Sequence, residues 1–233
     1  MKSSTTAIIV SYKSKWIIEN CIKSIEQNAR IIVVENSNDY KLKKFLEKKY
    51  KNLKVVINNN NNGFGNGANI GALKSKTKYL LFLGPDTVLE NKAITNITKI
   101  AKSFNNDFGA ILPIDVNKKV KTILEVKKSR GATLIFIKKD TFLKVGLFDE
   151  NLEFWYCDDD YINTLRKFDI KHALVTKSIV KHLGSHTLKL TQNTKEYISL
   201  TSKQYLYFDY KWHHNSKFIY NSKRLWFFFK NYL

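Results

Sequence analysis

A chain of 233 residues, 43% of them hydrophobic, can bury a substantial core, which excludes a disordered or fibrous protein. Forty Lys and Arg against 20 Asp and Glu leave a net charge of +20, so an anionic neighbour is expected. Two cysteines, Cys21 and Cys157, exclude a disulfide framework, and the longest purely apolar run near an end, Leu225 to Phe229, is far shorter than the roughly 20 residues of a membrane-spanning helix.

The opening segment, MKSSTTAIIVSYKSKW, lacks the uninterrupted apolar stretch of a signal peptide, and an intracellular, cytoplasmic protein is expected. Thr6 to Ser11 is a short β-branched apolar run that predicts a strand. Trp16, Ile17, Cys21, Ile22 and Ile25 follow at helical spacing, and Ile31 to Val34 forms a second apolar run, so the chain begins as a β-α-β unit. The pattern continues with helical spacing at Leu42, Phe45 and Leu46, a strand at Leu53 to Ile57, a glycine-rich segment opening a helix, and a strand at Tyr79 to Leu83. Strands alternating with helices predict a mostly parallel, right-handed doubly wound sheet over the first ~110 residues. Beyond Ile111 the rhythm changes. Lys119 to Val126 and Ala132 to Ile137 read as antiparallel strands, followed by short helices. From Thr187 onward Tyr197, Leu200, Tyr205, Phe208 and Trp212 recur at roughly helical spacing, which predicts a helical extension. With only two prolines and nine glycines, no flexible linker divides the chain, and no repeat period appears.

A dinucleotide site is excluded at the first turn, because SYKSKW holds no glycine to admit a pyrophosphate. The glycines come later, in NNNNNGFGNGANIGA (Asn58 to Ala72), at a spacing that matches neither GxGxxG nor the GxxxxGK[ST] loop. Small residues that let a helix pack closely on the sheet explain this segment equally well. Strand Tyr79 to Leu83 runs into GPDT, which places Asp86 just past the carboxyl end of a parallel strand, where open α/β sheets bind ligands. A carboxylate there can hold a hard divalent cation against a diphosphate. The plainer alternative is that Asp86 caps a helix starting near Val88 or shapes a turn after Pro85.

Further on, FDENLEFWYCDDDY sets Asp158, Asp159 and Asp160 behind Phe154, Trp155 and Tyr156. Three successive like charges repel, so at least one should have a raised pKa or a cation partner. A partly desolvated carboxylate suits a general base for a hydroxyl nucleophile, whereas a helix N-terminus that favours negative charge would explain one of the three without chemistry. His182 follows another β-branched run and can supply an imidazole to a cation, although a lone histidine is more often structural and His186 competes for any such role.

Taken in order, these segments resemble the inverting GT-A enzymes of glycosyltransferase family 2, with a likeness to its rhamnosyltransferase-like branch, over about residues 5 to 187. TAIIVSYKSKW is similar to the family's first strand and turn. IIVVENSND matches its VVDNxSxD segment, with Glu35 in place of an aspartate, and NNGFGNGANIGA matches its NxGfgxgxNxG. LGPDT is similar to its LNPDT form of the DxD motif, with Gly84 in place of the first carboxylate. GAT (Gly131 to Thr133), GLFDE (Gly146 to Glu150), WYCDDD and VKHLGSHT match the segments that follow, with Cys157 in place of the glutamate of the ED pair.

The resemblance implies an α/β fold of GT-A type: a Rossmann-like, mixed but mostly parallel sheet flanked by helices over residues 1–187, with residues 188–233 as an aromatic, basic helical extension packed on or beside it. It implies a nucleoside-diphosphate sugar as donor and Mg²⁺ or Mn²⁺ as cofactor. Ser11 and Glu35 would face the base and ribose, Asn61 and Asn69 with Gly63 would shape the nucleotide pocket, and Asp86 with His182 would hold the cation. Asp158 would take the proton from the acceptor hydroxyl, with Asp160 as reserve base, because the DDD run leaves the register open.

For the acceptor the family favours a glycan or lipid-linked saccharide. Lys223, Arg224 and Lys230 around Leu225 to Phe229 suit a peripheral contact with anionic lipid at the inner membrane face. Nucleic acid explains +20 more directly, with Lys118 to Arg130 as a candidate groove and a modified base of DNA as the target. A lysine-rich solvated surface explains the charge without any partner. A catalytically inactive family member serving as a binding module is the remaining alternative, against which stand Asp86, Asp158 and His182.

Overall fold

The computed structural model describes residues 3–104, 108–113, 134–175, 180–182, 195–213, 216, 220–223 and 225. Lys118 to Arg130, the strand expected at Lys119 to Val126, the GAT segment, His186 and most of the basic tail lie outside the described residues.

Nine strands and seven helices are described. β1 (Thr5–Ser11), α1 (Ile18–Ser24), β2 (Arg30–Glu35), α2 (Tyr40–Lys49), β3 (Leu53–Ile57), α3 (Gly63–Lys74) and β4 (Tyr79–Leu83) follow the alternation expected from the apolar runs. Then come β5 (Thr87–Leu89), α4 (Ala93–Ser103), β6 (Ala110–Pro113), β7 (Leu134–Lys138), α5 (Lys139–Val145), α6 (Cys157–Lys167), β8 (His172–Val175), β9 (Val180–His182) and α7 (Lys195–Trp212).

Seven strands form one sheet in the order β3-β2-β1-β4-β7-β6-β8. β1 to β4 pair in parallel, and β7 pairs antiparallel to both β4 and β6, so the sheet is mixed but mostly parallel. The antiparallel strand expected at Ala132 to Ile137 is therefore β7. Starting at β1 and winding outward on both sides leaves a switch point between β1 and β4, where open α/β sheets place ligands.

Each central strand is covered on both faces, which is why it reads in sequence as an unbroken apolar run. Along β1, Ala7 and Ile9 pack with Ile18, Ile22, Leu42, Leu46, Ile94 and Ile97 of α1, α2 and α4. Ile8 and Val10 point the other way, toward Ala68, Ala72, Phe142, Tyr161 and Leu165 of α3, α5 and α6. Each fully buried aliphatic or aromatic side chain contributes roughly 1.5–3 kcal/mol, so these two layers are the main source of stability. Trp16, which shares the helical spacing of the first helix, lies before α1 and is exposed, since α1 starts at Ile18. No helix among the described residues is long and apolar enough to cross a membrane.

Candidate active site

At the carboxyl edge of the sheet, β1 ends in Ser11 and β2 in Glu35, register partners in neighbouring strands. Both are fully buried. A buried carboxylate requires polar partners, and Glu35 has them: Oε2 accepts the Ser11 hydroxyl at 2.6 Å, and Oε1 accepts the Ser37 amide at 2.6 Å and the Ser37 hydroxyl. Ser11 Oγ also lies 2.7 Å from Ser14 Oγ. The pair thus ties together the two turns that leave β1 and β2, and stands beneath the surface of the edge.

The glycine segment next to them combines two functions. Gly67 and Gly71 face the sheet, where an added Cβ would come within 2.6 Å of Val10 and 2.4 Å of Ile8, so here the small residues admit the helix onto β1. Gly63 has φ +80 and a Cβ would fall 2.0 Å from the carbonyl oxygen of Glu153. That oxygen accepts the amides of Phe64 and Gly65 at 2.6 and 3.3 Å, so the first N–H groups of α3 are taken by the segment that carries the carboxylates. Asn61 is exposed on the preceding loop and accepts from Asn36 Nδ2 at 3.4 Å, while Asn36 Nδ2 also donates to the Gly63 carbonyl at 3.1 Å. Asn69 is buried. Its amide group clasps the backbone of Phe148, donating to the carbonyl at 2.9 Å and accepting the N–H at 3.0 Å, which fixes the GLFDE segment to α3.

Asp86 does not cap a helix. A short strand, β5, begins at Thr87, and it pairs antiparallel with β9 in the register Thr87↔His182, Val88↔Lys181, Leu89↔Val180. Two residues 96 positions apart in sequence, Asp86 and His182, are thereby brought to the same end of one ribbon, immediately past the carboxyl end of β4. Thr87 Oγ1 is buried there with no hydrogen-bond partner among the described residues. The Cys21 thiol, which contacts the Gly84 carbonyl at 3.6 Å, is pushed up in pKa by burial and by the charge of Asp86.

The carboxylates occupy the first turn of α6, where the helix dipole favours negative charge. Tyr156, the N-cap, has φ 65, a left-handed conformation that costs an aromatic residue about 1–2 kcal/mol and persists only where the surroundings enforce it. The raised pKa expected within the run belongs to Asp159 and Asp160. Burial and then the neighbouring Asp158 push Asp159 up to about 6, against the opposing pull of Arg166. Burial also raises Asp160, against the hydrogen bonds it accepts from Lys211 and Trp212.

Those two partners come from α7, which the sequence presented only as an aromatic helical stretch. Trp212 Nε1 donates to Asp160 Oδ1 at 2.7 Å, and Lys211 Nζ stands 2.8 Å from the same oxygen and 2.6 Å from Asp149 Oδ2. Gln204 Oε1 accepts the amides of Phe154 and Trp155 at 3.1 and 2.9 Å, and Phe208 stacks on Tyr156 with centroids 5.1 Å apart. Positions 204, 208, 211 and 212 follow one helix face, so a mixed polar and apolar stripe was the available signal. A cavity of about 360 Å³ opens at this contact, lined by Asn69, Phe148, Asp149, Asp160, Thr164 and Lys211 among others.

Residues 6–149 match the glycosyl transferase family 2 model. An uncharacterized glycosyltransferase of Haemophilus influenzae is 29% identical over 161 residues, covering 60% of this chain and 54% of that protein, so the chain spans about half the length of this curated relative. Among solved structures, S. aureus TarS 1-349 in complex with UDP-GlcNAc superposes with a TM-score of 0.63 at 15% identity, over 84% of this chain and 64% of that one. GalNAc-T7 with UDP, GalNAc and Mn²⁺ gives 0.63 at 19% identity, over 86% of this chain and 48% of that one. At such identities the likeness concerns the fold, and the seven-stranded, mostly parallel sheet flanked by helices is the GT-A arrangement these neighbours share. With the glycine helix and the segment from Gly146 to Asp149 inside a matched span that covers more than half of the chain, the chain belongs to glycosyl transferase family 2.

Proposed function

We propose that the protein transfers a sugar from a nucleoside-diphosphate sugar to an acceptor hydroxyl with inversion at the anomeric carbon. The observation that carries this reading is the β5–β9 register, which sets Asp86 and His182 at one end of a ribbon beside the carboxyl ends of β1, β2 and β4. The nucleotide binds along that edge. Ser11 and Glu35 hold the turns beneath it, and Asn61 with the Gly63 turn forms its rim.

Asp86 offers a carboxylate oxygen in the turn before β5 and Thr87 a buried hydroxyl without a hydrogen-bond partner among the described residues, oxygen donors of the kind Mg²⁺ or Mn²⁺ takes. No group of three or more His, Cys, Asp or Glu that could hold a metal ion occurs among the described residues. Asp86 and His182 would hold the cation, which would offset the charge of the departing diphosphate. Asp158 accepts the proton from the acceptor hydroxyl as that oxygen attacks the anomeric carbon and the C–O bond to the diphosphate breaks. No covalent intermediate is formed.

The acceptor we favour is a glycan or lipid-linked saccharide presented at the cytoplasmic membrane face. The +20 net charge supports a second reading, a modified base of DNA. Calorimetry with UDP-GlcNAc and with dTDP-rhamnose, the donor of a rhamnosyltransferase-like enzyme, tests the donor with and without Mn²⁺. Acceptor trials with lipid-linked saccharide and duplex DNA, with the product anomer read by NMR, test the rest. Retention of configuration, or binding of neither donor, would overturn the proposal.

A further inference from the structure

We propose that Lys211 is a positioning residue for Asp158: by bridging Asp149 and Asp160, it locks the first turn of α6 against the GLFDE loop and so sets where the Asp158 carboxylate stands. The proposal rests on the reading of Asp158 as the base.

α7 grips the segment from Phe154 to Asp160 in order along its own length. Gln204 takes two backbone amides, Phe208 takes the Tyr156 ring, and Trp212 takes Asp160. These three hold α7 to one segment. Lys211 joins that segment to a second one, because its Nζ meets Asp149 Oδ2 at 2.6 Å as well as Asp160 Oδ1 at 2.8 Å. Tyr207 OH donates to the same Asp149 oxygen at 2.9 Å, and Asn69 clasps Phe148 one residue earlier. The bridge therefore references the carboxylate helix to α3 and, through it, to the carboxyl edge of β1.

Asp160 is buried and Asp158 half-buried in the same helical turn. Two residues at about 100° each place them roughly 200° apart around the axis, so anchoring Asp160 inward directs Asp158 outward. The left-handed N-cap at Tyr156 makes this turn the point where rotation would begin once the anchor is lost. Replacing Lys211 with an uncharged residue leaves two carboxylates sharing a partly buried space with no cation between them, and their repulsion drives α6 from the loop.

The test compares Lys211→Met, Lys211→Arg and Asp158→Asn in the full chain. In Lys211→Met, hydrogen exchange over residues 154–162 should rise at least ~10-fold while exchange in β1 and α3 stays unchanged. The kcat for release of UDP from UDP-GlcNAc, with water as acceptor, should fall at least ~10-fold with KM within about 3-fold, the split expected when a reacting group is misplaced and donor binding is not. Lys211→Arg should restore both, since a guanidinium fork can also span two carboxylates. Unchanged exchange overturns the proposal, and so does raised exchange with an intact kcat, which would make Lys211 a brace only. An Asp158→Asn protein that still turns over donor overturns the base reading instead. If the wild-type protein does not release UDP from this donor, the donor reading fails, and the same kcat comparison is made with the nucleoside-diphosphate sugar that calorimetry shows to bind.

Discussion

The amide of Phe64 donates to the carbonyl oxygen of Glu153 at 2.6 Å, although the two residues belong to opposite halves of the chain. Phe64 lies in the first turn of the glycine-rich helix and Glu153 precedes the carboxylates, so this contact, which the Gly65 amide shares, sets the spacing between the edge that would hold the nucleotide and the turn that would hold the base. The approach is close enough that only glycine fits at the preceding position.

Gly63→Ala should therefore be far worse than Gly65→Ala. At Gly63 a Cβ would fall 2.0 Å from a backbone oxygen, with φ +80, so neither the neighbour nor the dihedral can yield cheaply. At Gly65 the nearest atom is 3.3 Å away and a shift of a few tenths of an ångström suffices. The expected loss is about 3 kcal/mol or more for Gly63→Ala and about 1 kcal/mol for Gly65→Ala, read as urea midpoints at constant m-value. Equal losses would mean that the contact with Glu153 does not constrain the fold.

Asp86→Ala should remove the Mn²⁺ dependence of donor binding, because Gly84 offers no second carboxylate to substitute. Titration calorimetry with UDP-GlcNAc, in Mn²⁺ and in chelator, separates the outcomes. Unchanged affinity together with unchanged metal dependence would place the cation site elsewhere.

The alternation of strands and helices was legible because β1, β2 and β4 are covered on both faces and write their burial into unbroken apolar runs. The Gly67 and Gly71 packing was legible for a similar reason, small residues being needed wherever a helix meets a sheet closely. β5 was not, because three residues carry too little periodicity to distinguish a strand from a helix start. The burial of Glu35 was equally hidden: a charged residue is normally exposed, and its partners are the hydroxyls of Ser11 at the end of β1 and of Ser37 in the turn after β2. Gln204 and Lys211 could not be singled out either. Gln204 binds backbone amides, which no side-chain pattern marks, and Lys211 binds carboxylates 62 and 51 positions away that only the folded sheet brings together.

The two candidate bases should separate cleanly. Asp158→Asn keeps the size and much of the polarity of the side chain but cannot take a proton, so turnover should fall by about 10²–10⁴ with donor affinity intact. Asp160 accepts from Trp212 and pairs with Lys211, so Asp160→Asn should register mainly as lost stability of about 1–3 kcal/mol. Kinetics and thermal unfolding on both variants check this. An inactive but fully stable Asp160→Asn beside an active Asp158→Asn would move the base two positions along the helix.

Asp159 makes the protein's stability depend on pH in a direction opposite to that of most carboxylates. Burial and the charge of Asp158 raise it from 3.8 to about 6 in the folded state. Between those values the folded chain binds the proton more tightly than the unfolded chain does, so stability falls as pH rises through this window and the loss is complete above it. Asp159→Asn removes the group that must ionise. After discounting for solvent screening of a partly exposed carboxylate, the gain above pH 6 is roughly 1 kcal/mol, or about 2–4 °C in Tm for a chain of this size. At pH 4, where Asp159 is protonated in the folded state, the variant and the parent should melt together. Thermal unfolding at pH 4 and pH 7.5 decides: a difference that is the same at both values would trace to packing of the amide and not to ionisation, and Asp159 would then have no raised pKa to relieve.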